Sequence, residues 1–304
     1  MRRWATWLLV GGLAALGSVA LADALRGDPT TRRAAAPTIS VALIPRNEPA
    51  ASAMSGVLYY SAENDECRLD GIRLPGLEDA PPPKLRSCRF SISPTGANAL
   101  PGSATWSRDG RFFAREMGGV VEFNSIATES GVRLRGHAPA FKPDGTFTYA
   151  RGNDIVECPR EEPVSPCRKV VARFGDWPVL ELAWLTNSRM AVIARPSDYV
   201  LVIREGRLRV SVPGWGRPVT DLEVSPQGSF VAARARGREG LIVFGADGRT
   251  GSLTPFADAH SITWSPDERW TAVATRRSVF IFRTNTGEAR VRRLPIVTRE
   301  LAWR

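Results

Sequence analysis

Trp264-Ser265-Pro266-Asp267, followed by the apolar run Trp270-Thr271-Ala272-Val273-Ala274, decides the fold, because the same unit recurs along the chain. It stands earlier as Trp106-Ser107-Arg108-Asp109-Gly110, as Phe141-Lys142-Pro143-Asp144-Gly145 and as Val224-Ser225-Pro226-Gln227-Gly228. Trp184-Leu185-Thr186-Asn187 is a weakened copy, and Trp303 begins another. The anchors at 106, 141, 184, 224, 264 and 303 are 35, 43, 40, 40 and 39 residues apart, a period that marks repeat architectures. Pro at the second position of the tetrapeptide sets φ for a turn and Gly suits its end.

Working outward from each turn, an apolar strand precedes it and another follows, as in Met190-Ala191-Val192-Ile193-Ala194 and Phe230-Val231-Ala232-Ala233. A third strand comes next, as in Val279-Phe280-Ile281-Phe282, and a more polar fourth, as in Arg207-Leu208-Arg209-Val210-Ser211-Val212. Four strands per forty residues predict a propeller blade. Five complete units begin near residues 104, 138, 180, 220 and 260. The segments 56–60, 67–74 and 87–92 supply three strands without an inner one, and Glu300–Arg304 supply an inner strand without partners. Joined, they predict a sixth blade. The expectation is therefore an all-β chain: a six-bladed β-propeller with four-stranded blades over 56–304, closed by strand 300–304.

The Trp-Ser-Pro-Asp-Gly turn and the forty-residue unit resemble the TolB-like, WD-like six-bladed propeller repeat of bacterial exported proteins, over about residues 56–304. The resemblance implies a binding scaffold or an accessory domain of a peptidase. It does not carry over TolB's own partners, since the amino-terminal domain that accompanies that propeller has no room here.

The chain of 304 residues carries a formal charge of +10, and 38 of its 41 basic residues are Arg, the exceptions being Lys84, Lys142 and Lys169. Hydrophobic residues make up 43% and charged residues 24%, which excludes a largely disordered chain. Trp4 to Ala22 is uncharged and follows Arg2 and Arg3. As a helix these residues reach about 28 Å, close to the thickness of a bilayer's hydrocarbon core. Residues 1–25 are thus expected to be an N-terminal transmembrane anchor, with a cleaved signal peptide as the alternative because Ala20-Leu21-Ala22 suits cleavage. Residues 26–55 read as a Pro/Ala-rich tether, within which 39–44 has the pattern of a strand. The propeller is expected outside the cytoplasm: held at the cell membrane by a single pass, or secreted if the segment is cleaved. The cysteines agree, since Cys67 with Cys88 and Cys158 with Cys167 form two local pairs suited to disulfides in an oxidising compartment. In the predicted register each pair bridges the two outer strands of its own blade.

His137 and His260 lie four residues before their anchors, and Glu181, Asp221 and Glu300 three before theirs. Equal offsets place all five at one mouth of the central channel, a candidate ligand site. The competing reading is structural: a histidine in this loop commonly makes a fixed hydrogen bond, and acids there pair with local Arg. Trp177 and Trp215 fall in blade connections and are candidates for an interaction surface. No nucleophile elbow, metal-protease helix or phosphate loop occurs. No catalytic residue, metal site or cofactor is assigned. The favoured function is a membrane-tethered, extracytoplasmic scaffold for a protein or an anionic envelope polymer, without nucleic acid. The alternative is a lactonase- or glycosidase-like propeller enzyme with its acids and histidines at the channel mouth.

Overall fold

The repeated turn locks itself with its own side chains. Ser107 Oγ donates to Asp109 Oδ1 at 2.6 Å and accepts from the Phe112 amide at 2.9 Å, while Asp109 Oδ1 also takes the Arg111 amide. Ser265, Asp267, Arg269 and Trp270 repeat this network. The fourth turn residue must adopt positive φ, which Gly110, Gly145 and Gly228 do at little cost and Glu268 does at +57°. Gly228 is needed for a second reason: a Cβ there would sit 1.9 Å from the Leu185 carbonyl oxygen of the preceding repeat.

A computed structural model describes residues 42–43, 54–62, 67–127, 131–159, 167–195, 199–204, 207–213, 219–235, 241–246, 250–252, 258–284, 290–294 and 296–304. Along the chain, β1 (Ala42–Leu43) is followed by β2 (Gly56–Ala62), β3 (Leu69–Leu74) and β4 (Glu78–Asp79) of a first sheet, then by β5 (Phe90–Ile92) and β6 (Ala99–Pro101) of a second. The third sheet holds β7 (Thr105–Trp106), β8 (Phe112–Met117), β9 (Val120–Ser125) and β10 (Gly131–Arg135). The fourth holds β11 (His137–Phe141), β12 (Phe147–Arg151), β13 (Asp154–Glu157) and β14 (Lys169–Arg173). The fifth holds β15 (Val179–Thr186), β16 (Arg189–Ala194), β17 (Tyr199–Arg204) and β18 (Arg207–Pro213). The sixth holds β19 (Val219–Val224), β20 (Phe230–Ala235), β21 (Leu241–Gly245) and β22 (Thr250–Ser252). The seventh holds β23 (Ser261–Trp264), β24 (Trp270–Ala274), β25 (Val279–Arg283) and β26 (Arg290–Leu294), and β27 (Thr298–Trp303) returns to the first sheet as its inner strand, pairing antiparallel with β2.

Each sheet packs face to face on the next, and six of the seven seams hold an apolar cluster. Tyr59, Phe90 and Ile92 join the first and second sheets, and Phe123, Phe141 and Phe147 the third and fourth. Ala150, Val179 and Met190 join the fourth and fifth, Ile193, Val231 and Phe244 the fifth and sixth, and Ala232, Trp264 and Val273 the sixth and seventh. Leu58, Trp270 and Trp303 return from the seventh to the first, closing the ring. The remaining seam, second to third, is carried by a hydrogen bond from Trp106 Nε1 to Ser91 Oγ at 2.8 Å.

The expectation of six four-stranded blades needs correction. Among the described residues there are seven sheets, and the second has only two strands. Phe90–Ile92, expected as the outer strand of the first blade, instead starts this extra sheet. The reason is local: Pro81-Pro82-Pro83 cannot donate to a ladder, so the outer strand of the first sheet stops at Asp79 and resumes only as the bridge of Arg86 with Arg68. Both disulfides are formed as paired from the sequence. Cys158–Cys167 joins the ends of β13 and β14, the two outer strands of one sheet. Cys67–Cys88 instead ties the start of β3 to the segment that leads into the second sheet.

Residues 39–304 form one compact unit. Within it β1 adds to the outer edge of the seventh sheet, parallel to β26, with Ala42 opposite Arg290. The apolar run 4–22 lies outside the described residues. Among those that are described, no helix is long and apolar enough to cross a membrane.

Candidate functional site

The inner strands run in parallel around the axis, because their contacts join equal levels. The Asp221 amide meets Glu181, three residues before their respective anchors, and the Trp303 amide donates to Thr263 Oγ1 at 3.1 Å. At the far end, turn meets turn: the Asp144 amide donates to Asn187 Oδ1, and the Gln227 amide to Glu268 Oε1. One end of the ring is therefore the channel mouth, where inner strands begin, and the other is the turn end.

At the mouth the inner strands bulge. Ala138 and Asp221 take φ of +47° and +58°, conformations that cost a non-Gly residue about 1–2 kcal/mol. The bulge aims their amides at the neighbouring sheet, where carboxylates receive them. Glu116 accepts from Ala138 N at 3.0 Å, and Glu181 accepts from Asp221 N at 2.9 Å and Leu222 N at 2.7 Å. Bonds to a charged acceptor are worth about 1.5–3 kcal/mol each, enough to offset the strain.

The five mouth residues expected from the sequence thus separate. Glu181 stitches the fifth sheet to the sixth. His260 Nε2 meets the Thr298 carbonyl oxygen at 2.6 Å and stitches the seventh to the first. Asp221 is exposed and pairs with Arg234 at 3.4 Å. Glu300 lies within electrostatic reach of Arg89, Arg234 and Asp221. His137 is half-buried at the start of β11, and its ring has no hydrogen bond among the described residues.

Glu223, not anticipated, is the most perturbed group. It lies one residue before its anchor, where other repeats have Ala140, Ala183, Thr263 and Ala302. Its side chain meets solvent, yet it is encircled by protein. That burial pushes its carboxyl up to about 7, with Arg304 drawing it down and Glu300 and Asp221 adding to the rise. The Arg304 guanidinium is held by the carbonyls of Ser93, Ile92 and Trp303. Burial also raises Glu181, against the Leu222 and Asp221 amides, and raises Glu300, against Arg89 and Arg234. The signal for Glu223 was an acid at a position otherwise filled by small side chains. Among the described residues no three His, Cys, Asp or Glu are placed to share a metal ion. A cleft of about 760 Å³ opens elsewhere, at the outer edge of the first sheet beside Pro81–Pro83.

Among the described residues the exposed large hydrophobic side chains are Met117, 52% exposed, Trp177, 47%, and Val297, 43%. Met117 ends β8, Trp177 lies between β14 and β15, and Val297 between β26 and β27. All three positions are at the mouth end. Trp177 was anticipated; Trp215 lies outside the described residues.

No family model and no curated protein matches this chain. Solved structures do. The Cps50 (Swd1) β-propeller domain of Myceliophteria thermophila is similar with a TM-score of 0.50 at 13% identity, over 82% of this chain and 89% of that one. A chain of the Mitotic Checkpoint Complex is similar with a TM-score of 0.50 at 14% identity, over 77% of each. At that identity the likeness speaks for fold. The chain has an all-β, WD-like propeller fold.

Proposed function

We propose that this chain is a scaffold that binds a partner protein through the mouth end of its propeller and performs no chemistry of its own. The observation that carries this reading is the placement of Met117, Trp177 and Val297: three large apolar side chains left in water, in three separate connections, all at one end of the ring. Leaving Trp exposed is costly, and Trp is the residue type most enriched among binding hot spots. The turn end, by contrast, is occupied by self-satisfied turns. The WD-like propellers it resembles include a chain from a protein assembly, the Mitotic Checkpoint Complex, which favours the same reading.

We further propose that the scaffold is of the TolB-like exported type, held at the cell membrane by residues 4–22 with the propeller outside the cytoplasm. The support is the uncharged N-terminal run together with four cysteines all in disulfides. An anionic envelope polymer is the second class of partner, favoured by the net charge of +10.

The test is crosslinking of the full chain in membranes, identification of what it captures, and titration of that purified partner. Trp177→Ala should weaken binding by roughly 30-fold, the scale of a hot-spot loss of about 2 kcal/mol, while its melting temperature stays put. Unchanged affinity on both Trp177→Ala and Met117→Ser would remove the mouth end as the docking surface. Release of the full chain by alkaline carbonate would remove the anchor.

A further inference from the structure

The seventh sheet differs from the third and fourth in charge. There basic residues find acids: Arg115 and Arg133 on the flanking strands share Glu122, and Lys142, in the turn after β11, shares Glu157 with Lys169 of β14. The strands β23 to β26 contain Arg283, Arg290, Arg292 and Arg293 and no acidic residue. Arg276 and Arg277 lie at the β24–β25 turn, on the mouth end, beside Asp258.

That turn is rigidly framed. Thr275 N and Oγ1 both donate to the Ser278 carbonyl, at 2.8 Å and 3.0 Å, and both residues are buried. Asp258 accepts the Arg276 amide at 3.4 Å. The frame leaves Arg276 and Arg277 exposed at the tip. From the adjacent strand Arg293, also exposed, donates Nε to Ser278 Oγ at 2.7 Å, which fixes its guanidinium beside the turn. Arg276 and Arg277 at the tip and Arg293 on Ser278 thus place three arginines at one turn above buried Thr275 and Ser278, and guanidinium groups suit carboxylates as partners. Exposed Val297 and half-buried Ile296 follow β26 at the same end.

We propose that Arg276, Arg277 and Arg293 form the site at which the partner protein's acidic segment docks, with Val297 receiving an apolar residue beside it. This rests on the scaffold reading and names the partner's chemistry. A protein fits better than a sugar or phosphate polymer because the arginines adjoin exposed apolar surface.

The experiment titrates the full chain, in neutral detergent, with a fluorescent peptide of six Glu and two Leu. Arg276→Gln, Arg277→Gln and Arg293→Gln together should weaken binding about tenfold, or about 1.4 kcal/mol. A charge-matched control at the turn end, Arg108→Gln, Arg111→Gln and Arg269→Gln, should weaken it less than roughly twofold, as unspecific attraction would. Inorganic polyphosphate and phosphatidylglycerol vesicles should not distinguish the two triple variants. Equal loss of peptide binding in both, or loss of polyphosphate or vesicle binding from the mouth variant alone, overturns the proposal. The scaffold reading is read separately, from Trp177→Ala against the native partner.

Discussion

The inner strands and four of the outer strands carry opposite charge and treat it in opposite ways. Along the axis stand Glu181, Asp221, Glu223 and Glu300, against the single Arg299 on the same strands. The outer strands β10, β14, β18 and β26 carry Arg133 and Arg135, Lys169 and Arg173, Arg207 and Arg209, and Arg290, Arg292 and Arg293, with no acid. Three of the axial carboxylates are raised, chiefly by burial. The carboxylates nearer the rim are lowered. Hydrogen bonds from Arg115 hold Glu122 down, and in Glu157 those from Lys142 and Lys169 outweigh burial. Strands converge at the axis of a ring and diverge at its rim. Acids on neighbouring inner strands meet one another, whereas acids further out find room for two cations each. Position in the ring, more than residue type, sets the behaviour of a carboxylate.

The ring itself is the condition for this contrast, so breaking it has the largest expected effect. Trp303 is fully buried, its Nε1 donates to the Ser55 carbonyl at 2.9 Å, and β27 supplies both Glu300 and the contacts of the closing seam. Trp303→Ala should cost about 3–5 kcal/mol, read by thermal or urea unfolding. Deleting residues 300–304 should cost more and should return Glu223 toward ordinary carboxylate behaviour, because opening the ring lets water reach it and relieves the burial that raises it, a gain that must exceed the loss of Arg304. A truncated chain that melts within a degree or two of the intact one would show that β27 does not close the ring.

The next effects separate axis from rim by pH. Glu157 is lowered, so its contribution to stability is present above the unfolded carboxylate range near pH 4.5 and fades as pH falls below it. Glu157→Gln should cost about 1.5–3 kcal/mol at pH 7, because it strands the largely buried Lys142 ammonium. Glu223 is raised to about 7, so the sign reverses. Its favourable contribution is present below about pH 4.5 and is lost as pH climbs through 7. Glu223→Gln should therefore melt higher than the parent at pH 8 and coincide with it near pH 4.5, by less than the full shift implies, because the side chain meets channel solvent. Melting curves at the two pH values read both variants. The same sign for Glu157→Gln and Glu223→Gln would erase the contrast.

What the sequence disclosed, and what it hid, follows the same geometry. The Ser-Pro-Asp-Gly turn is local, made within six residues, and so its copies at 107, 225 and 265 were legible, as were the strands on either side. The second sheet was not. Ser93-Pro94-Thr95-Gly96 makes the same turn, with the Gly96 amide on the Ser93 carbonyl, but its anchor Ile92 stands only 14 residues before Trp106, and a search at forty passes over it. The mouth was half legible. Asp221 lies within electrostatic reach of both Glu181 and Glu300, as equal offsets suggested, but the bulge at Asp221 that turns Glu181 into a backbone acceptor is a property of the neighbouring sheet. Glu223 was legible only against the other repeats, as an acid where they carry Ala or Thr; nothing within Val219–Val224 itself tells that Arg304, Glu300 and Asp221 gather near it.

The smallest expected effect is the sharpest test of the axial half of the comparison. Asp221 stands in the left-handed region, at φ +58°, which Asn tolerates as well as Asp, so Asp221→Asn changes charge with little change of shape. Two effects then oppose each other. Losing the charge weakens the pair with Arg234, a 3.4 Å contact at which the aspartate is 52% exposed and which is worth at most about 1 kcal/mol. Gaining neutrality relieves Glu181, Glu223 and Glu300, each of which is pushed up by the Asp221 charge. Three repulsions against one screened attraction favour a net gain, of roughly a few tenths to 1 kcal/mol at pH 8. The gain should shrink toward pH 4.5, where the neighbours are protonated, and the measurement is the difference in melting temperature between variant and parent at each pH. A variant less stable than the parent at pH 8 would mean that Arg234 outweighs the three acids. The axis would then be ordered by ion pairing, as the rim is.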